Sequence, residues 1–233
     1  MDAPELLAEE IRARRAPGQP VLLGISGGVG VGKSTMATGV RERLVLDGWA
    51  VEIVCADDFL LPNSELERLD LMMRKGFPGT FEDAALEEAL RLVRSGAGEV
   101  RVPVYSHTTY DRVPGAERTL APADAVIVEG VNALQPPVVD HLDVAIYVDA
   151  SEDDMIAWFV ERFLALCEAA QHDERSFYRG FAAMSVDEQQ GIAEWTWREI
   201  NGVNLHEHIA PSRDRATIVV TKQRDHSVTV ERR

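Results

Sequence analysis

Gly24-Ile25-Ser26-Gly27-Gly28-Val29-Gly30-Val31-Gly32-Lys33-Ser34-Thr35 decides the fold of this 233-residue chain. From Gly27 to Ser34 it reads G-x-x-x-x-G-K-[ST]. The run 21–25 before it is short, apolar and β-prone, which reads as a buried strand, and 33–46 after it reads as a helix. Strand, glycine loop and helix in that order form the context a phosphate-binding loop needs. Phosphate oxygens must meet bare backbone N–H groups, and Gly27, Gly28, Gly30 and Gly32 keep side chains out of the way. The loop also feeds a helix N-terminus, whose free N–H groups and dipole favour an anion. Residues Gly27, Gly28, Val29, Gly30, Val31, Gly32, Lys33, Ser34 and Thr35 are therefore the candidate nucleotide cradle. In it Lys33 reaches the β/γ-phosphates and the Ser34 hydroxyl serves as a Mg²⁺ ligand. Nucleotide binding follows; kinase, GTPase and mechanical ATPase stay open at this point.

The totals narrow the class. The length predicts one domain over 1–233, with 1–19 as an N-terminal helix and linker. With 24 basic against 39 acidic residues the net charge is -15, which argues against non-specific nucleic-acid binding. Two cysteines, Cys55 in a predicted strand and Cys167 in a predicted helix, suit a reduced cytoplasmic protein better than a disulfide framework. No apolar run approaches membrane-spanning length, and the first fifteen residues are charged rather than signal-like.

Outward from the loop, strands and helices alternate. Helices are expected over 4–15, 64–75 (Ser64 as N-cap, Glu67 three residues on), 81–95, 152–170 and, opened by the capping pair Ser185 and Glu188, 186–200. Strands are expected over 49–55, 100–104, 117–120, 125–129, 144–148, 217–221 and 228–230, with 105–111 as a loop. Runs apolar on both faces are those of central parallel strands, so the fold class is three-layer α/β, a mainly parallel sheet flanked by helices.

Acids at the carboxyl ends of such strands lie where ligands bind. Asp57 is the leading catalytic base, with Asp58 as its neighbour and rival. Glu129 ends a later apolar strand and suits a second Mg²⁺ ligand. Tyr105, His107 and Tyr110 offer donors, acceptors and aromatic faces to a small polar substrate. Arg162, on a largely apolar helix, reads either as an internal ion pair, as a snorkelling side chain, or as a clamp on a carboxylate or transferring phosphate.

Together these blocks resemble the type I bacterial pantothenate kinases, within the P-loop kinase superfamily that also holds uridine kinase and phosphoribulokinase. The resemblance rests on Gly27–Thr35, Asp57-Asp58-Phe59-Leu60-Leu61-Pro62-Asn63, Arg74-Lys75-Gly76-Phe77-Pro78, Pro103-Val104-Tyr105-Ser106-His107, Ile127-Val128-Glu129-Gly130, Arg162-Phe163-Leu164, Ile200-Asn201 with Asn204-Leu205, and Asp225-His226. It implies a P-loop kinase fold and a cytoplasmic homodimer that uses ATP and Mg²⁺ to phosphorylate the 4′-hydroxyl of pantothenate, in coenzyme A synthesis. It implies that Asp57, Lys33 and Arg162 are catalytic, that Tyr105, His107, Tyr110, Arg162, Phe163 and Asn201 join Asp57 in binding pantothenate, and that His226 packs near adenine. The chain departs from the family at Asp58, where glycine is usual, at Phe159 and Leu166 on the substrate side, and at Thr38, where an arginine helps hold the inhibitor coenzyme A. Most of the family's extension before the phosphate loop is also missing. The last departures imply weak feedback by coenzyme A and some change in the nucleotide pocket and dimer contact. A sibling kinase of a nucleoside or sugar and a nucleotide-binding regulatory protein are the competing readings; no Asn-Lys-x-Asp points to a GTPase switch.

Overall fold

The computed structural model describes residues 2–233. Its strands are β1 (Val21–Gly27), β2 (Val51–Cys55), β3 (Val100–Ser106), β4 (Asp111–Leu120), β5 (Ala125–Glu129), β6 (Val144–Ala150), β7 (Ile218–Lys222) and β8 (Val228–Arg232). The main helices are α1 (Ala3–Arg12), α2 (Lys33–Leu46), α3 (Asn63–Arg68), α4 (Asp83–Arg94), α5 (Glu152–Ala169), α6 (Arg179–Ala182) and α7 (Val186–Thr196). Six strands form one sheet in the order β2-β5-β1-β6-β7-β8, parallel throughout except that β8 returns antiparallel along β7. β3 and β4 pair apart from it as a two-stranded antiparallel ribbon.

All seven residues of β1 and all five of β5 are buried, as strands covered on both faces must be. Alternation divides their side chains between two cores. Val21, Leu23 and Ile25 pack with α1, α2 and α5 on one face, while Leu22, Val126 and Val128 pack with α4 and the β3–β4 ribbon on the other. These are the three layers expected from the sequence. α1 closes one side: Asp2 caps it by accepting the Glu5 N–H at 3.0 Å, and its fully buried Leu7 and Ile11 each contribute about 1.5–3 kcal/mol of burial.

Three local expectations are corrected. The helix expected over 64–75 stops at Arg68, and its start moves to Asn63 behind Pro62, so Ser64 lies inside the helix rather than capping it. Asp70 then takes φ 57°, and a short turn, Met72–Arg74, follows. The chain leaves the helical path there, and Lys75, just beyond the turn, is buried. Tyr105 lies in β3 rather than in a loop, because that strand runs two residues further to pair Tyr105 with Arg112. The helix expected to end near Ile200 continues through wide turns at Trp197–Asn201 and Leu205–Ile209. Its Ser185–Glu188 capping box is present.

Candidate active site

Strand register brings the functional loops together. Ile25 of β1 and Cys55 of β2 both lie opposite Glu129 of β5. The phosphate loop, the turn bearing Asp57 and the acid Glu129 therefore leave the sheet side by side at its carboxyl edge, where open α/β sheets bind ligands.

Gly27 and Gly32 show why the loop needs glycine. They take φ values of 148° and 103°, and a Cβ on Gly27 would come 2.3 Å from the Val148 carbonyl oxygen. Gly32 starts α2 without a side-chain cap, so the first N–H groups of the helix stay available. Lys33 donates to the carbonyls of Gly28 (2.8 Å) and Gly27 (3.1 Å). Burial lowers its pKa, opposed by the charges of Glu129 and Asp57. The Ser34 hydroxyl donates to Glu129 Oε1 at 3.0 Å. A hydroxyl beside a buried carboxylate is an oxygen donor set that fits Mg²⁺.

Asp57 sits on the short turn after β2, half-buried, with no hydrogen bond to its carboxylate among the described residues. Burial raises its pKa; His107, Lys33 and Lys75 oppose the shift, and Asp58 adds to it. Asp58 points elsewhere. It is 7% exposed, accepts the Tyr105 N–H at 3.0 Å and stands 3.6 Å from Arg118. The acid that sequence reading set beside the base as its rival is thus tied to the β3–β4 ribbon.

That ribbon supplies an aromatic wall. Tyr105 meets His107 edge-on at 5.1 Å between ring centroids and Tyr110 at 6.3 Å, and Phe177 stacks on Tyr110 at 4.6 Å. Burial pushes the Tyr110 hydroxyl up to about 12. Sequence reasoning assigned no role to the residue that organises this wall. Lys75, 8% exposed, donates to Asn63 Oδ1 (2.6 Å) and the Tyr110 carbonyl (2.5 Å), and its ammonium lies 4.1 Å from the Tyr110 ring centre. Burial lowers its pKa to about 8. No period marks a lysine preceding glycine in a loop, so the sequence carries no signal for its burial.

Of the remaining candidates, Arg162 is exposed and makes no ion pair among the described residues, which removes the internal-pair reading. Its charge helps to lower the pKa of Lys33 and works against the burial that raises that of Tyr178. Phe163 is buried against Phe159, Tyr178 and Phe181. Asn201 is half-buried on the first wide turn and makes no side-chain hydrogen bond among the described residues, whereas Asn204 donates to the Gly76 carbonyl at 2.9 Å. His226 stands apart from the acceptor wall, stacked on Trp158 at 5.3 Å. The same Trp158 ring carries the Lys222 ammonium at 4.0 Å, and Lys222 donates to the Val31 carbonyl of the phosphate loop at 3.2 Å. The contact of Trp158 and Lys222 with the loop was not legible in the sequence; only the tertiary fold returns β7 to the loop.

With this geometry in view, the comparisons are specific. A pantothenate kinase from Clavibacter sepedonicus is 45% identical over 223 residues, 92% of this chain and 70% of its own length, and one from Myxococcus xanthus is 42% identical over 90% of this chain and 70% of its own. The chain belongs to the pantothenate kinase family. The profile of the Phosphoribulokinase / Uridine kinase family matches residues 22–165, from β1 into α5. In fold, this member of the pantothenate kinase family is similar to the D-glycerate 3-kinase of Cryptococcus neoformans var. grubii (TM-score 0.68, 13% identity, 99% of this chain and 96% of that one). It is also similar to the phosphoribulokinase of Rhodobacter spheroides (TM-score 0.57, 14% identity, 92% and 80%). The chain is an ATP-dependent small-molecule kinase. No helix among the described residues is long and apolar enough to cross a membrane.

Proposed function

We propose that the chain phosphorylates the 4′-hydroxyl of pantothenate with ATP. The observation that carries this reading is the placement of Asp57: an unbonded carboxylate of raised pKa between the phosphate-loop lysine and the wall of Tyr105, His107, Tyr110 and Lys75. The acceptor hydroxyl gives its proton to Asp57. Its oxygen then bonds to the γ-phosphorus as the bridging P–O bond breaks and ADP leaves. Lys33 turns from the carbonyls of Gly27 and Gly28 to the phosphate oxygens, and the exposed Arg162 closes on the transferring group or the substrate carboxylate. Ser34 and Glu129 would hold Mg²⁺, which supplies neutralisation of phosphate charge when bound. Tyr105, His107, Tyr110, Phe163 and Asn201 line the acceptor side, and His226 with Trp158 and Lys222 the nucleotide side. We assign this work to one domain over 1–233, acting in the cytoplasm as a homodimer.

A coupled ADP-release assay with Mg-ATP tests the proposal. Release driven by pantothenate and not by uridine or fructose is expected. Preference for either of the other two would transfer the kinase to a different acceptor.

A further inference from the structure

The phosphoryl-transfer scheme leaves one nucleophilic group at the reaction centre without a task. Cys55 is the last residue of β2, two positions before Asp57 and opposite Glu129 in the strand register. Its half-buried thiol is unpaired with Cys167 or any other cysteine. The Cys55 sulfur, an Asp57 carboxylate oxygen and a ring nitrogen of His107 all lie within 4.8 Å of one another. Among the described residues this is the one group of three histidine, cysteine or acidic side chains so placed. We propose that Cys55, Asp57 and His107 form an inhibitory site for a thiophilic divalent cation of the Zn²⁺ type, separate in its ligands from the Ser34–Glu129 pair.

The donor chemistry separates the two cations. One sulfur, one imidazole nitrogen and one carboxylate oxygen form a borderline-soft set that suits Zn²⁺, whereas Mg²⁺ demands an octahedron of oxygens. Bonds of about 2.0–2.3 Å put tetrahedral ligand atoms roughly 3.3–3.8 Å apart, so from separations within 4.8 Å the three groups need close by no more than about 1–1.5 Å. His107 can supply that movement, since it is exposed at the start of the β3–β4 turn and makes no side-chain hydrogen bond among the described residues, its ring meeting Tyr105 edge-on. The surroundings supply charge of both signs. Glu129 and Asp58 favour a cation, while the ammonium groups of Lys33 and Lys75 oppose it. Burial, and then the charges of Asp57, Glu129 and Asp58, raise the pKa of the Cys55 thiol. Coordination therefore forms a metal–sulfur bond as the thiol proton leaves to solvent, with no change of oxidation state. The bound cation occupies the Asp57 carboxylate and the His107 ring together, so inhibition competes with the acceptor rather than with ATP. A fourth position stays open to water.

Co²⁺ in place of Zn²⁺ reads the site directly, because a cobalt–thiolate bond absorbs in the near ultraviolet. The expected result is a charge-transfer band in the free wild-type protein that is absent from both Cys55→Ala and Cys55→Ser. Each variant should keep wild-type turnover under Mg-ATP and require at least about 10-fold more Zn²⁺ for half-inhibition. The spectrum is recorded without substrate, so it stands whichever hydroxyl compound proves to be the acceptor; only the inhibition arm rests on the role given to Asp57. A wild-type protein with no band, a band or an inhibition unchanged in both variants, or cobalt binding without inhibition overturns the proposal.

Discussion

The two ends of the cleft are built on different principles. At the phosphate end, backbone does the work. Gly27 and Gly32 adopt left-handed φ values, α2 begins uncapped, and Lys33 and Ser34 are the first two residues of the helix that follows. At the acceptor end, side chains from distant segments do it. Lys75 reaches Asn63 and the Tyr110 carbonyl, Asp58 holds Tyr105, and Phe177 donates its N–H to the Thr108 carbonyl while stacking on Tyr110. The phosphate end is thus a local motif that any chain of this pattern can form, whereas the acceptor end exists only once the β3–β4 ribbon has docked on the sheet. Catalytic residues at the junction should affect turnover most, acceptor-side residues the acceptor's KM, and nucleotide-side residues the KM for ATP.

The largest effect is expected at the junction. Asp57→Ala should lower kcat by roughly 10²–10⁴-fold, with ATP binding kept within a few-fold. Near-normal turnover would remove Asp57 as the base. In the wild type, kcat/KM should fall on acidification at a pH above the ordinary aspartate range, since burial raises the Asp57 pKa and the base must be ionised.

Next comes Lys75→Met, which leaves Asn63 Oδ1 and the Tyr110 carbonyl without their charged donor. It should lower kcat/KM for the acceptor by about 10-fold or more and cost about 1–3 kcal/mol of stability, while the KM for ATP barely moves. Its pH signature is distinct. The folded-state pKa is about 8 against an ordinary 10.5, so between those values the unfolded chain binds more protons and stability rises with pH. Thermal unfolding followed from pH 8 to 10 should show that rise in the wild type and lose it in the variant. An equal change in the KM for ATP would erase the distinction between the two ends.

Asp58→Asn should act more weakly, keeping an acceptor for the Tyr105 N–H while losing the Arg118 charge partner. The acceptor's KM should rise by a few-fold, equivalent to about 1 kcal/mol, with kcat near wild type. Lys222→Met should mirror it at the other end, raising the KM for ATP by a few-fold and leaving the acceptor's unchanged. The smallest response is expected from coenzyme A. Thr38 lines an open depression of about 590 Å³ beside Ser34 and Thr35, and Arg43, which also lines it, is engaged by Asp2 at 2.6 Å. Titration against ATP should therefore give weak inhibition, and strong competition would show that another cation takes the missing arginine's place.

Much of this is legible in the sequence. The glycine loop, its strand and its helix, the parallel sheet, and the strand-end acids Asp57 and Glu129 all follow from patterns a few residues long. Such patterns are readable because φ > 0, two-sided burial and helix starts are demands that neighbouring residues meet locally. Others were not legible. A single lysine in a loop looks solvated whether or not it is buried, so the pattern around Lys75 carries no sign of its contacts. Asp58 looked like a second acid in the cleft because sequence adjacency hides that successive side chains of a tight turn diverge. Arg162, on a mostly apolar helix, is exposed rather than internally paired.

The sequence by itself determined the glycine loop, the helix start behind it and the acids at the ends of the neighbouring strands, since that information lies within single loops and their flanking strands. Only the tertiary structure decided what faces what. Val31 and Lys222 meet across 191 positions, Lys75 and Tyr110 across 35, and Cys55 comes to His107 through the docking of a ribbon outside the main sheet. The physical reason is that such contacts are set by strand register and interlayer packing, which depend on the whole core and leave no periodic mark on the residues they join.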